Sequence, residues 1–168
     1  MVAGGILPVA LYNNKLYFLF GKENEYETSA PGWADFGGGC ESGESPYQTA
    51  LREGSEELTG FLGSKADIKK LIKKNGGVYK IVNNNYHVYI FAMKYDDHLV
   101  KYYNNNHKFL WKNMSHNLLN QTTFFEKSEI KWFSLDEIKK KKSKFRFFYR
   151  EIIDKILLDI DNIKKFIK

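Results

Sequence analysis

The stretch "FGGGCESGESPYQTALREGSEELTGF", residues 36–61, sets three glycines, an acidic loop and then Arg52, Glu53, Glu56 and Glu57 side by side in a chain whose net charge is +6. Its second half reads as a helix. Ser45 is an N-cap, Pro46 takes the first helical position, and Gln48 three residues after Ser45 completes a capping box. The helix is expected to run to about Leu58 and stop near Gly60. On a helical wheel Tyr47, Ala50, Leu51, Gly54 and Leu58 fall within an arc of about 100°, a buried stripe, and Glu53, Glu56 and Glu57 fill the next arc, at its rim. Glu56 and Glu57 also sit in the last turn, where the helix dipole disfavours an exposed acid by about 0.3–1 kcal/mol. If a loop roofs them, two carboxylates about 5 Å apart repel by roughly 3 kcal/mol at an effective dielectric near 20. A divalent cation removes that penalty. Carboxylate oxygens suit Mg²⁺ or Mn²⁺, with phosphate oxygens completing the shell, and glycines at 37, 38 and 39 let backbone approach a metal or phosphate closely. The plainer alternative is a solvated acidic helix surface.

These residues resemble the Nudix hydrolases, whose box is written G-x5-E-x7-R-E-U-x-E-E-x-G-U, with U a bulky apolar residue. Gly38, Glu44, Arg52, Glu53, Glu56 and Glu57 match it at every interval, and Trp33 lies where many members carry an aromatic residue. Three departures stand out: Phe36 where proline is common, Gly54 in place of the apolar U, and the terminal glycine one place late, as Thr59-Gly60. The resemblance implies a Nudix-fold α/β/α sandwich and a Mg²⁺- or Mn²⁺-dependent pyrophosphohydrolase that cleaves a nucleoside diphosphate linked to another moiety. It implies Glu53, Glu56 and Glu57 as metal ligands with the Gly37 or Gly38 carbonyl near the ion, and Glu44 and Arg52 as supports, the guanidinium forking onto a carboxylate. Some members take a general base from the box, as Glu53 would be here. Others take it from the loop before the last strand, where "FFEKSEIKW" offers Glu126, the preferred candidate, and Glu129. Trp33, Phe36 and Tyr86 are the candidates for stacking a base; aromatics in a small domain more commonly serve the core.

Outward from this stretch, Ile6–Leu11 and Lys15–Phe20 read as a hairpin around "YNNK", followed by a loop from Gly21 to Gly32. Lys65–Lys74 reads as a helix capped by Ser64 and stopped by "NGG" at 75–77. Val78–Val82 and Tyr86–Met93 form another hairpin. Asp96 to about Ser115 reads as a helix despite three asparagines at 104–106, Ile130–Phe133 as a short strand, and Ser134 with Glu137 as a second capping box. Phe145–Lys168 reads as one long amphipathic helix with Phe148, Ile152, Ile156, Ile160, Ile163 and Phe166 on one face. Hairpins alternating with helices predict one α/β domain, 1–168, with helices on both faces of a mixed sheet.

Length and apolar content suit one folded domain. The single Cys40 excludes an internal disulfide, the four histidines show no metal-ligand pairing, and no apolar run reaches the roughly 18–20 residues that span a bilayer. These features predict a soluble, intracellular protein without a membrane partner. The basic balance favours a polyanionic partner such as a phosphorylated nucleotide. "KKKKSKFRFFYR" at 139–150 mixes cations with aromatics in a way that suits RNA, including capped mRNA, although a solvated helix start explains it as well. The alternative function is an RNA- or nucleotide-binding module that keeps the fold without turnover; the intact set of box glutamates argues against it.

Overall fold

The computed structural model describes residues 1–28, 30–119, 121–122 and 125–168. Ser29 of the expected loop and Phe124 of the segment before the last strand lie outside them. Among the described residues a seven-stranded mixed sheet has the order β3-β2-β1-β6-β5, with β4 added to β1 and β7 to β2. The strands are β1 (Ala3–Tyr12), β2 (Lys15–Glu23), β3 (Trp33–Ala34), β4 (Phe36–Gly39), β5 (Tyr79–Asn83), β6 (Tyr86–Ala92) and β7 (Lys127–Ser134). β1 is the axis: it runs parallel to β6 along Ala3–Val9, while its two ends pair antiparallel with β4 and β2.

Side chains alternate across this sheet with a period of two, so each strand feeds two cores. Leu7, Val9, Phe18, Phe20, Val88 and Ile90 face one side. Ile6, Ala10, Leu19, Tyr89 and Phe91 face the other. The second side is covered by α1 (Pro46–Glu57), α2 (Lys65–Lys74) and α3 (Asp97–Asn113); the first by α5 (Leu135–Lys140), α6 (Tyr149–Leu158) and α7 (Ile160–Ile167), with the short α4 (His116–Leu119) preceding β7. This is the α/β sandwich that the hairpin and helix order predicts.

The capping boxes read at Ser45 and Ser134 are formed, and the Ser64 cap proves to be a third box with Asp67. The asparagines inside α3 do not break it. Asn104 turns its amide across to β7, where Nδ2 donates to Ile130 O at 3.0 Å and Oδ1 accepts from Ile130 N at 2.8 Å, so a side chain satisfies a strand edge. The long C-terminal helix is corrected in two places. Phe145 is extended and bridges to Trp33, so α6 begins only at Tyr149. At Asp159 the backbone leaves helical geometry, φ −101° and ψ 11°, with its carboxylate accepting from Tyr79 Oη and Asn162 Nδ2; a short acid that bonds locally competes with the helix ladder.

Gly54 has a side-chain cause rather than a backbone one. A Cβ there would stand 2.2 Å from Ile6 Cδ1, so glycine lets α1 settle onto β1. The same contact is reinforced at Gly4, whose missing Cβ leaves room for the Pro46 carbonyl.

Candidate active site

The C-terminal half of α1, β4, the start of β7 and the loop after β2 enclose a cleft of ≈ 680 Å³ lined by seven glutamates and two arginines, among them Glu53, Glu56, Glu57, Glu126, Arg52 and Arg146. Arg52 organises one wall. Its Nε and Nη2 fork onto Glu44 at 3.0 and 3.1 Å, Nη2 also donates to Gly39 O at 3.3 Å, and Nη1 reaches Glu53 at 2.8 Å and Glu56 at 3.2 Å. Hydrogen bonds from Arg52 first, and from Thr49 and the Glu41 amide, hold Glu44 at a pKa of about 2. Glu44 and Arg52 thus brace the loop against the helix.

Glu57 is not at the rim. It is 3% exposed, beneath the start of β7. The wholly buried Lys127 lies 3.2 Å from Glu57 Oε1 and also pairs with Glu23, which in turn accepts from Arg146 Nη1 at 2.9 Å. Tyr103 of α3 donates to the Glu57 carbonyl at 2.7 Å. Burial alone would lower the Lys127 pKa; Glu57 and Glu23 override it and raise it, so the ammonium stays charged. Glu57 itself is pushed well up, by burial and by the neighbouring Glu23, Glu126 and Glu53 against the pull of Lys127.

One oxygen of Glu57 is left over. Oε2 is buried without a hydrogen-bond partner. Ligand oxygens of Glu53, Glu57 and Glu126 all lie within 4.8 Å of one another. Burial is also the largest cause raising Glu53 and Glu126, followed for Glu126 by repulsion from Glu53. Gly38 completes the cradle, since a Cβ on it would stand 2.4 Å from Glu53 Oε1. An orphaned buried carboxylate oxygen, two further carboxylates beside it and a glycine strand beneath are a donor set suited to a hard divalent cation.

The gathered trio differs from the one expected. Glu126 joins Glu53 and Glu57, whereas Glu56 is half exposed and held by Arg52. Glu129 points away, to Lys22 at 3.4 Å on the sheet edge.

None of the three expected stacking residues lines the cleft, which corrects the sequence reading. Phe36 is fully buried in the α1-side core. Trp33 packs on Phe133 at 4.9 Å and its carbonyl accepts from Arg146 N, tying the C-terminal segment to β3. Tyr86 donates to the buried Asp35 at 2.7 Å and borders a different groove, beside Phe148. Among the described residues the ring that does line the cleft is Tyr26. Sequence reasoning also missed Glu23, Lys127 and Arg146, which meet across more than a hundred residues of chain and carry no local spacing signal.

The NUDIX domain family model matches residues 5–156, and the chain belongs to that family, the Nudix hydrolases of phosphoanhydride bonds. In fold it is similar to a Caenorhabditis elegans Ap4A hydrolase in a binary complex, at a TM-score of 0.54 and 15% identity, over 95% of this chain and 97% of that one. The NUDIX domain of Shewanella oneidensis NrtR complexed with ADP ribose follows at a TM-score of 0.48 and 14% identity, over 83% of this chain and 76% of that one. No curated protein matches the sequence. Among the described residues no helix is long and apolar enough to cross a membrane.

Proposed function

We propose that the chain is a Mg²⁺- or Mn²⁺-dependent pyrophosphohydrolase that cleaves a nucleoside diphosphate linked to another moiety, working within one domain. The observation that carries this reading is the buried Glu57, whose Oε2 has no partner and which is gathered with Glu53 and Glu126 so that one oxygen of each lies within 4.8 Å of the others. Glu57, Glu53 and the Gly38 backbone would hold the cation, which when bound polarises phosphoryl oxygens and offsets charge on the leaving phosphate.

The chain's own residues supply the rest. Lys127 keeps Glu57 fixed through Oε1, leaving Oε2 for the ligand, and Tyr103 holds the same residue from its carbonyl. Arg52 orients Glu53. Glu126 is assigned as the base that takes a proton from the attacking water; burial raises its pKa from the usual carboxylate range toward neutrality, the direction that suits a base. Arg146 lines the cleft and meets a phosphate there. The lysines that precede it in sequence at 139–142 add to a basic balance that favours long polyanionic substrates, RNA-linked ones included, over small neutral conjugates.

The test is incubation with nucleotide sugars, dinucleoside polyphosphates, nucleoside triphosphates, inositol pyrophosphates and capped RNA, with and without metal, resolving phosphate, pyrophosphate and nucleotide products. Metal-dependent release of a nucleotide product is expected, lost in Glu57→Gln. Nucleotide binding that persists in EDTA with no product from any substrate would replace the enzyme by a binding module.

A further inference from the structure

We propose that the groove between residues 24–28 and 31–32 on one side and α3 on the other, walled by Trp111, seats the planar heteroaromatic ring of the substrate's nucleoside. The proposal rests on the reading above that the acidic cleft works on a phosphoanhydride, and adds where the base lies. A second hollow of ≈ 680 Å³ adjoins the acidic cleft, the two sharing the wall of Glu23, Asn24 and Glu27. Its character is mixed. Trp111, His107 and Pro31 stand here beside Glu23, Glu25 and Glu27, with Lys22 and Lys108 also in the lining.

Trp111 is mounted rigidly. Tyr103, His107 and Trp111 recur every four residues on α3, so their rings stack along one stripe, with centroids 6.3 Å apart for Tyr103 and His107 and 5.8 Å for His107 and Trp111. Phe125 meets both His107 and Trp111 edge-on, at 5.0 and 6.1 Å. Tyr26, which lines the acidic cleft itself, leans on Trp111 at 5.4 Å and 36°. The stripe begins at Tyr103, whose hydroxyl holds the Glu57 carbonyl. One helix therefore fixes both the carboxylate at the reacting phosphate and the ring wall next door, which sets the spacing between phosphate and base.

Asn24 keeps the shared wall in shape. Its Nδ2 donates to Phe125 O at 2.6 Å and its Oδ1 accepts from the amides of Tyr26 and Glu27, tying the loop to the segment that carries Phe125. Trp111 remains only partly buried, so ring surface is left for a ligand. Stacking on tryptophan is tolerant of base identity because every base has a π face. The ligand class is therefore a nucleoside of unspecified base, and an inositol pyrophosphate, which has no such face, gains nothing from this wall.

Photo-crosslinking of the wild-type protein with 8-azido-ADP, followed by peptide mapping, tests the placement without any variant. Attachment within 24–32 or 107–113 is expected. Attachment only elsewhere, for example beside Tyr86, or none at saturating nucleotide, overturns the proposal. In a kinetic arm, Trp111→Ala should raise KM for a nucleotide substrate by about 5- to 150-fold, the range for loss of one stacked base, with the loss falling on KM rather than kcat and with Trp111→Phe recovering most of it. An unchanged KM in a folded Trp111→Ala also overturns it. Crosslinking at the groove in a chain that hydrolyses nothing would sink the hydrolase reading and leave the ring seat standing; turnover with crosslinks elsewhere would do the reverse.

Discussion

Adding millimolar Mg²⁺ or Mn²⁺ should raise the melting temperature, and Glu57→Gln should remove most of that rise. The size follows from the carboxylate group. With oxygens of Glu53, Glu57 and Glu126 within 4.8 Å of one another, each fully ionised pair repels by at least about 3.5 kcal/mol at an effective dielectric near 20. Lys127, 3.2 Å from Glu57, offsets roughly 5 kcal/mol on the same scale, about half of the total. Burial first, and repulsion from neighbouring carboxylates after it, raise all three above their usual range, so the metal-free protein relieves the remainder by holding protons. A cation that binds only the folded cluster at a hundredfold excess over its Kd stabilises by about 2.7 kcal/mol, or about 5–11 °C for a chain of this size.

The effect has a direction in pH. Carboxylates whose pKa is raised on folding hold protons that the unfolded chain has already released, so their contribution to metal-free stability is present at low pH and lost as pH rises from the unfolded value through the raised one. Metal displaces those protons. The metal-induced rise should therefore be small near pH 5, grow across the same interval and level off above it. Differential scanning fluorimetry across pH with EDTA, Mg²⁺ and Mn²⁺ reads this directly, with Glu129→Gln, on the sheet edge with Lys22, as the control that keeps the full rise. An increment that is the same at every pH, or the same in Glu57→Gln as in wild type, would refute the reasoning.

Glu126→Gln should lower kcat by about 10²–10⁴-fold with the metal concentration for half-maximal rate nearly unchanged; a raised metal requirement would make Glu126 a ligand instead. Asp35, fully buried, has its pKa raised to about 7 by desolvation, against the bond from Tyr86, so its ionisation costs stability as pH rises toward and past that value. By linkage the cost is on the order of 4 kcal/mol, and Asp35→Asn should flatten the metal-free melting curve between pH 5 and 8; an unaltered pH profile counts against it. Gly54→Ala should destabilise by about 1–2 kcal/mol, since overpacking on Ile6 outweighs the helix-propensity gain, and Ile6→Val should restore part of the loss; additive effects in chemical denaturation would show that the two residues do not clash. For an RNA-linked substrate, replacing Lys139–Lys142 by alanine should flatten the dependence of affinity on salt; equal slopes would return these lysines to a solvated surface role.

What was legible in the sequence was local. The Ser45 and Ser134 capping boxes, the Ser64 cap and the alternation of β1, β2 and β6 depend on neighbours three or two residues away, and each formed where the pattern put it. The wheel gave the angular position of Glu57 on α1 correctly and its environment wrongly, because a wheel knows nothing of the β7 segment laid over it. The same blindness chose Trp33, Phe36 and Tyr86 as ligand-stacking rings: lying beside the glycines in sequence or on β6, they point into the packed faces of the sheet or the groove beyond it. The rings that border the cleft and the hollow beside it come from the loop after β2 and from α3, distant in sequence from the box.

The same long-range assembly answers why a basic chain collects its acids in one place. Seven glutamates line the cleft against two arginines, with Lys127 buried beneath. Replacing the Lys127–Glu57–Glu23 cluster by apolar residues would often be no less stable, since buried ions lose more hydration than their mutual attraction returns unless every lone pair is used. Here one is not used, Glu57 Oε2. A buried ion network that leaves an oxygen without a partner, on a glutamate gathered with two more carboxylates, is poorly arranged for stability alone and well arranged to hold a cation. Lys127 is then the element that makes the site rigid without filling it: it fixes one oxygen of Glu57 from below and leaves the other unpartnered.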